Sequence, residues 1–266
     1  MTRLAADFHL HVYKIYPLES LLSSLFANLN RTAGTASEPV IKAAFLAERR
    51  RYQIFSDWRR GLFRVRGYSI TPLGPATLEI KTDKGDSLLL FAGRQVATTE
   101  SLEILSLVSD RDVPDALPFA EAAARVLDTG GIPVLPWAPG KWEGARRRLI
   151  RQGIESLAGR GLMICDSSIR PVLFPDPLLF RFARRLGVPV VAGTDTYPAP
   201  GEERLAGSYA TVLEADFDPA QAAEAIPRLL RARSFTRCRR AGRRSHFPVA
   251  AQRWLTHMFG SHNQTG

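Results

Sequence analysis

Apolar and polar positions follow two different periods along the chain, and these periods predict its secondary structure. An apolar run at residues 4–12 predicts a strand, and helical spacing at 18–30 predicts a helix. The same spacing predicts a second helical region at residues 39–58. Strand patterns dominate residues 62–108, where a turn sequence at 83–86 separates two apolar runs. The first part of the chain is therefore expected to be mixed α and β.

From residue 118 onward, helices and strands alternate regularly. Helices are predicted at residues 118–128, 142–158 and 177–186, and strands at 132–135, 162–165 and 188–192. Strands that alternate with helices indicate a parallel sheet with crossover helices. We therefore expect an α/β fold whose sheet closes, or nearly closes, as a barrel.

Two histidines lie two residues apart on the first predicted strand. Residues i and i+2 of a strand project from the same face, so His9 and His11 can present two imidazoles to one metal ion. The alternative is a polar patch in which both rings have hydrogen-bond partners. The pair by itself leaves both interpretations open.

Polar or Gly/Pro-rich segments directly follow several predicted strands. In parallel α/β folds these segments converge on one face, where substrates bind. The alternative is that they only turn the chain and cap helices, as Asp166 or Asp195 could do. The segments are residues 7–11, 93–95, 136–141, 166–171 and 193–198.

The net charge of +10 is concentrated at one end of the chain. Residues 225–266 hold nine arginines, no lysine and no acidic residue, so they carry +9 and residues 1–224 carry +1. We predict one domain at 1–224 and a basic tail with a closing helix at 225–266. The tail is expected to dock onto the domain or onto an acidic protein partner, and any nucleic-acid binding is expected to be weak.

Compartment and membrane association are also constrained by composition. Cys165 and Cys238 are far apart and suggest no disulfide framework. The sequence shows no secretory signal and no apolar stretch near the roughly 20 residues that span a bilayer. A cytoplasmic location without a membrane partner is the resulting expectation.

Four segments resemble motifs of the polymerase and histidinol phosphatase (PHP) superfamily of metal-dependent phosphoesterases. Residues 7–11 match its Asp-x-His-x-His strand, and residues 193–198 are similar to its Gly-Ser-Asp-Ala-His-Pro motif. Residues 93–100 resemble its Gly-x-Glu-x-x-Thr-x-Glu segment, and 137–140 its His-Pro-Gly loop. The resemblance covers residues 4–215 and implies a distorted TIM-like (β/α)7 barrel.

The chain departs from the family pattern at three expected metal ligands. Gln95, Ala138 and Tyr197 stand where the family has ligands, which leaves His9, His11 and Asp195. The resemblance then implies one Zn²⁺, Mn²⁺ or Fe²⁺ instead of a trinuclear cluster. We retain Gln95 and Asp7 in the predicted metal site, Asp7 as the residue that orients a ligand histidine.

Further roles are predicted around this metal. Asp166 would accept a proton, Lys141 and Arg170 would hold a small anionic substrate, and Tyr197 would ligate the metal or donate a hydrogen bond. Lys141 and Arg170 also fit ordinary surface charge or helix capping. The leading hypothesis is a phosphoesterase-like hydrolase with one metal.

Two alternatives remain at the level of sequence. The first is a PHP-like barrel that has lost activity and binds a protein partner, so whether the chain is an enzyme stays open. The second is a hydrolase of the amidohydrolase type, which usually has additional histidines late in the chain. Here no histidine lies between His11 and His246.

Overall fold

The computed structural model describes residues 1–34 and 40–260, which form two sheets with helices on their outer faces. The strands are β1 (Thr2–Leu10), β2 (Val40–Leu46), β3 (Tyr68–Gly74), β4 (Thr77–Thr82), β5 (Ser87–Phe91), β6 (Gly93–Ala97), β7 (Glu103–Leu107), β8 (Ile132–Pro136), β9 (Met163–Ser167), β10 (Val190–Gly193), β11 (Tyr209–Ala215) and β12 (Arg237–Gly242). The α-helices are α1 (Leu18–Ala33), α2 (Ile54–Arg59), α3 (Phe119–Asp128), α4 (Ala145–Leu157), α5 (Leu178–Arg185), α6 (Ala222–Ala232) and α7 (Phe247–Gly260). Short 3-10 helices cover Glu202–Leu205 and Pro219–Gln221.

The predicted barrel is wrong. The first sheet has seven strands in the order β12-β11-β1-β2-β5-β4-β3, and the second has five in the order β10-β9-β8-β7-β6. A barrel requires one continuous ladder without edges. Here β3–β4–β5 and β6–β7–β8 are joined as antiparallel neighbours, and β11 and β12 run antiparallel in the first sheet. The helix–strand repeat after residue 118 therefore builds only the parallel part of the second sheet, β8–β9–β10, and β1–β2–β5 form a parallel part of the first sheet.

The predicted second helical region is also wrong over most of its length. Val40–Leu46 forms β2, parallel to both β1 and β5, and only Ile54–Arg59 is helical. Ala43 and Phe45 pack between the sheets, while Ala44 and Leu46 pack beneath α1. A strand buried on both faces has a continuous apolar run, which is easily mistaken for a helical pattern.

The main core lies between the two sheets, and outer cores lie beneath the helices. The inter-sheet core contains stacked rings of Phe8, Phe45 and Phe91 and is covered at one end by Ile226 and Leu230 of α6. A second core lies between the first sheet and α1 and α2, and a third lies between the second sheet and α3, α4 and α5. Among the described helices, none has the length and apolar composition needed to cross a membrane.

The predicted tail contributes regular structure. The boundary at residue 224 falls inside α6, and β12 pairs antiparallel with β11 along Arg237–Gly242. The division into two domains stays a prediction. Cys165 and Cys238 are both free thiols.

Glu48 lies where the two sheets approach each other. Its N–H donates to the Gly93 carbonyl (3.0 Å), and the Gln95 N–H donates to the Glu48 carbonyl (2.9 Å). Its carboxylate accepts a hydrogen bond from Phe55 N (2.8 Å) at the start of α2. Burial raises the pKa of Glu48 from 4.5 to about 7 in spite of that bond.

We therefore expect Glu48→Gln to change how stability depends on pH. The folded protein holds a proton on Glu48 up to about pH 7, whereas the unfolded chain loses it near 4.5. The free energy of unfolding should then fall as pH rises through this window. Urea unfolding at pH 5 and pH 8 should show that the variant gains stability, relative to the native protein, only at pH 8. An equal difference at both pH values would contradict the assignment.

Candidate metal centre

The first strand places two imidazoles at one end of the inter-sheet core. Phe8 points into that core and stacks on Phe45, with ring centroids 4.6 Å apart. Side chains alternate along a strand, so His9 faces the opposite way, and His11 follows directly after the end of β1. The two ring centroids are 4.8 Å apart.

Gly193 allows β10 to lie directly against His9. A Cβ at this position would be 2.4 Å from both Cβ and N of His9, which no side chain tolerates. The Asp195 N–H then donates to the His9 carbonyl (2.8 Å). Asp195 itself has φ of 53°, a left-handed conformation that is uncommon outside glycine and is often found at functional sites.

His9, His11 and Asp195 converge as a triad of ligand atoms. The two Nε2 atoms are 3.1 Å apart, and each lies 3.6 Å from Oδ1 of Asp195. The other carboxylate oxygen, Oδ2, accepts a hydrogen bond from Ser167 Oγ (2.9 Å). Ser167 therefore orients Asp195 so that Oδ1 faces the histidines.

Gln95 adds a fourth oxygen. Its Oε1 is 3.1 Å from His9 Nε2, and its Nε2 donates to Oε1 of Glu103 (2.9 Å). Lys141 Nζ forms an ion pair with the same Glu103 oxygen (2.6 Å). Glu103 thus connects two predicted site residues and fixes which end of the Gln95 amide faces the histidines.

Burial and mutual interaction set the charge states of the triad. Burial, followed by the charge of His9, lowers the pKa of His11 well below 6.5, and Asp195 only partly offsets this. Burial alone would raise the pKa of Asp195, but His9 and His11 lower it below 3.8. A neutral imidazole and an anionic carboxylate are the forms that ligate metals.

The spacing of these atoms fits a single cation. A metal about 2.0–2.2 Å from each ligand separates two ligand atoms by about 3.0 Å at a right angle and about 3.4 Å at the tetrahedral angle. The observed separations are 3.1 Å and 3.6 Å. The His11 ring also hydrogen-bonds the backbone of Ala47, which leaves Nε2 as a lone-pair donor. Nε2 of His11, Oδ1 of Asp195 and Oε1 of Gln95 therefore all lie within 3.6 Å of Nε2 of His9.

Asp7 lies behind this centre and contacts the backbone instead of an imidazole ring. Its carboxylate accepts hydrogen bonds from His9 N (3.0 Å), Thr194 N (2.9 Å) and Gly207 N (3.0 Å), and also from Thr194 Oγ1. Burial raises the pKa of Asp7 against the effect of these bonds. Asp7 thus fixes the backbones that carry His9 and the loop before Asp195.

Asp166 and Arg170 are in a separate, buried ion cluster. Arg170 donates to both carboxylate oxygens of Asp166, at 2.7 and 2.6 Å. Arg240 Nη1 (2.5 Å) and Tyr209 Oη (2.7 Å) donate to Oδ2 of the same group, and Arg240 and Arg170 also bind Asp176. The structure therefore does not bring Asp166 and Arg170 together with the histidine pair.

Tyr197 lies between the triad and the last helix. Its hydroxyl has a raised pKa because of burial and the nearby Asp195 charge. The Arg253 guanidinium lies over its ring, 5.4 Å from the centroid, and donates to Glu202 (2.8 Å) and to the Asp195 carbonyl (3.3 Å). Arg253 of the basic tail therefore holds the loop that carries Asp195.

Four of the other tail arginines line a groove whose lining does not include the triad. This groove of about 670 Å³ lies between β12 and the segment after α5, and Asp176 is its acidic lining residue. Its arginines are Arg170, Arg184, Arg233, Arg239, Arg240 and Arg244.

Sequence reasoning missed four residues around the centre: Ser167, Glu103, Tyr13 and Arg49. Ser167 and Glu103 contact predicted ligands directly, as described above. The ring of Tyr13 lies 5.5 Å from that of His11. Arg49 lies within residues 39–58, where the spacing predicts a helix, but no helix forms at this position. Ser167 lies in the segment 166–171 that follows a predicted strand, and Tyr13 lies two residues after His11, whereas no local pattern indicates Glu103 or Arg49.

No protein-family model and no curated protein matches the chain. Among solved structures, the chain is similar to the crystal structure of PsfC from Pseudomonas syringae PB-5123, with a TM-score of 0.54 and 12% identity over 99% of both chains. It also aligns with endonuclease Q in a complex with a 27-mer duplex substrate and with the lesion-specific endonuclease PfuEndoQ from Pyrococcus furiosus, both at a TM-score of 0.49 and 10% identity. These two alignments cover 86% and 89% of this chain but only 57% and 58% of the endonucleases. The likeness to PsfC shows a shared fold, and membership of the PHP superfamily stays a prediction.

Proposed function

We propose that this protein is a hydrolase that uses one divalent metal ion, held by His9, His11 and Asp195, on a small phosphate ester. The observation that carries the proposal is the convergence of two imidazole nitrogens and a carboxylate oxygen within 3.1–3.6 Å. Three protein ligands with room for water are typical of catalytic metal sites, whereas structural sites are closed by four. Zn²⁺, Mn²⁺ and Fe²⁺ all accept such a mixed nitrogen and oxygen set.

When bound, the metal would lower the pKa of a water molecule and stabilise charge on the phosphoryl group. The chain's own residues would orient the ligands and handle the proton. Asp7 and Ser167 fix the positions of His9 and Asp195, and Glu103 fixes the amide of Gln95. In the overall reaction water adds to phosphorus, the ester P–O bond breaks, and the alcohol leaves with a proton.

Glu103 is better placed than Asp166 to accept the proton of water. Its carboxylate contacts Gln95, whose other amide atom faces the histidines. Asp166 accepts hydrogen bonds from two arginines, a tyrosine and a backbone N–H, so its lone pairs are engaged elsewhere. We therefore assign Glu103 as the candidate general base and Lys141, its ion-pair partner, as a positioning residue.

The alternative function, an inactive protein that binds a partner, makes a different prediction for metal and activity. A binding module needs neither a bound metal nor turnover. The arginine-lined groove would then be the natural surface for an acidic partner, and weak nucleic-acid binding there stays a prediction.

The test is hydrolysis of p-nitrophenyl phosphate and bis(p-nitrophenyl) phosphate by protein loaded with Zn²⁺, Mn²⁺ or Fe²⁺. We expect turnover of at least one ester, its loss on chelation, and its return when the metal is restored. His246→Ala is the matched control, because His246 is exposed and lies outside the centre. Stoichiometric metal binding without turnover of either the monoester or the diester would contradict the phosphoesterase proposal. Turnover that does not change on chelation would contradict the role of the metal.

A further inference from the structure

Two side chains, Tyr13 and Arg49, each hold one buried polar atom that has no hydrogen-bond partner among the described residues. The first is the hydroxyl of Tyr13, which is buried without a hydrogen-bond partner among the described residues. Tyr13 as a whole is only 3% exposed. Its ring is held by His11 at 5.5 Å and by Tyr16 and Tyr52, both at 5.4 Å. The hydroxyl is therefore fixed in place and is not a freely rotating surface group.

The second group is the guanidinium of Arg49. Its Nε is buried without a hydrogen-bond partner, and within residues 1–34 and 40–260 its side chain forms no salt bridge. Its pKa is raised, against the effect of burial, by the nearby Tyr13, Glu103 and Asp195. Its backbone position agrees with this: Arg49 directly follows Glu48, whose carbonyl accepts the Gln95 N–H (2.9 Å), and the Arg49 carbonyl accepts the N–H of Tyr52, whose ring packs on Tyr13.

Leaving such donors unpaired in a buried place is unfavourable. A buried polar atom without a partner loses its interaction with water and gains nothing in exchange, and the loss is larger for a charged group. When the partner is an anionic oxygen, a guanidinium and a neutral phenol both act as hydrogen-bond donors. Arginine pairs with carboxylate and phosphate groups through two parallel N–H bonds. The missing partner is therefore an oxygen-rich anion.

We infer that Tyr13 and Arg49 form the subsite that binds the anionic group of the substrate beside the His9–His11–Asp195 centre. This inference rests on the proposed function and specifies its substrate class, an ester or related compound with a phosphoryl or carboxylate group. In this role Arg49 supplies charge and Tyr13 supplies one directed hydrogen bond. Both are substrate-binding residues, and neither is a metal ligand.

The inference is tested by isothermal titration of metal-loaded protein with inorganic phosphate and, in a parallel series, with acetate. Arg49→Ala should weaken binding of the anion about tenfold or more, because it removes a charge together with its hydrogen bonds, and Tyr13→Phe should have a smaller effect, because it removes one hydrogen bond from a neutral donor. Arg49→Lys should recover part of the affinity. Arg50→Ala is the matched control, since Arg50 is the exposed neighbour in the same run. Metal content is measured on every variant and should stay at one per chain.

The outcomes separate this inference from the proposed function. Unchanged anion affinity in Arg49→Ala, with one metal bound, would overturn the subsite and leave the metal centre in place. Binding of acetate in preference to phosphate, lost in Arg49→Ala, would support the subsite and identify a carboxylate as its ligand. Absence of bound metal in the native protein would overturn the proposed function itself. Binding of neither anion by the metal-loaded native protein would overturn the subsite.

Discussion

Asp166→Ala is expected to lower the free energy of unfolding by about 3–5 kcal/mol, because it removes one partner from a buried ion cluster. The Asp166 side chain is fully buried, and that of Arg170 is 3% exposed. Arg170 and Arg240 would still form ion pairs with Asp176. Together they would lose the three charged hydrogen bonds that they donate to Asp166. Urea unfolding followed by circular dichroism measures the change.

A matched control shows whether burial is the cause. Glu155→Ala breaks the exposed ion pair with Arg151 on α4, which should change stability by about 0.5 kcal/mol or less. Equal effects of the two substitutions would contradict the assignment of Asp166 to a structural cluster. So would a stable Asp166→Ala variant that loses turnover alone, because that is the behaviour of a catalytic base.

Loss of any member of the triad is expected to abolish stoichiometric metal binding. Each of three substitutions removes one protein ligand: His9→Ala, His11→Ala and Asp195→Ala. We expect the affinity for the metal to fall at least about 100-fold, because substitution of residues that only orient a ligand already lowers metal affinity by about 10–100-fold. Titration with Zn²⁺ in the presence of a competing chelator measures this. His246→Ala should bind like the native protein. A folded Asp195→Ala variant with native affinity would exclude Asp195 from the centre.

The ligands could be predicted from the sequence because their geometry is local or carried by a motif. His9 and His11 share one face through the two-residue period of a strand, and Asp195 follows another strand in a segment similar to a family motif. The helices α3, α4 and α5 and the strands between them also follow from periodicity, and the structure confirms them. In each case the signal lies within about ten neighbouring residues.

The rest depends on contacts that no local pattern encodes. Val40–Leu46 is a strand because it lies between β1 and β5, and its apolar run fits either secondary structure. Asp166 follows a strand just as Asp195 does, but its partners Tyr209 and Arg240 come from strands 43 and 74 residues later. Arg49 lies in a region whose apolar spacing predicts a helix, and only the path of the chain after β2 brings it near Asp195. Long-range pairing decides each of these cases.

The proposed function depends on one metal ion bound between His9, His11 and Asp195. Anomalous diffraction at the metal absorption edge tests it most directly, on crystals of protein loaded with Zn²⁺ or Mn²⁺ and then freed of excess ion. We expect one strong peak about 2.0–2.2 Å from Nε2 of both histidines and from Oδ1 of Asp195. A peak elsewhere, or none at this site in well-ordered crystals, would contradict it.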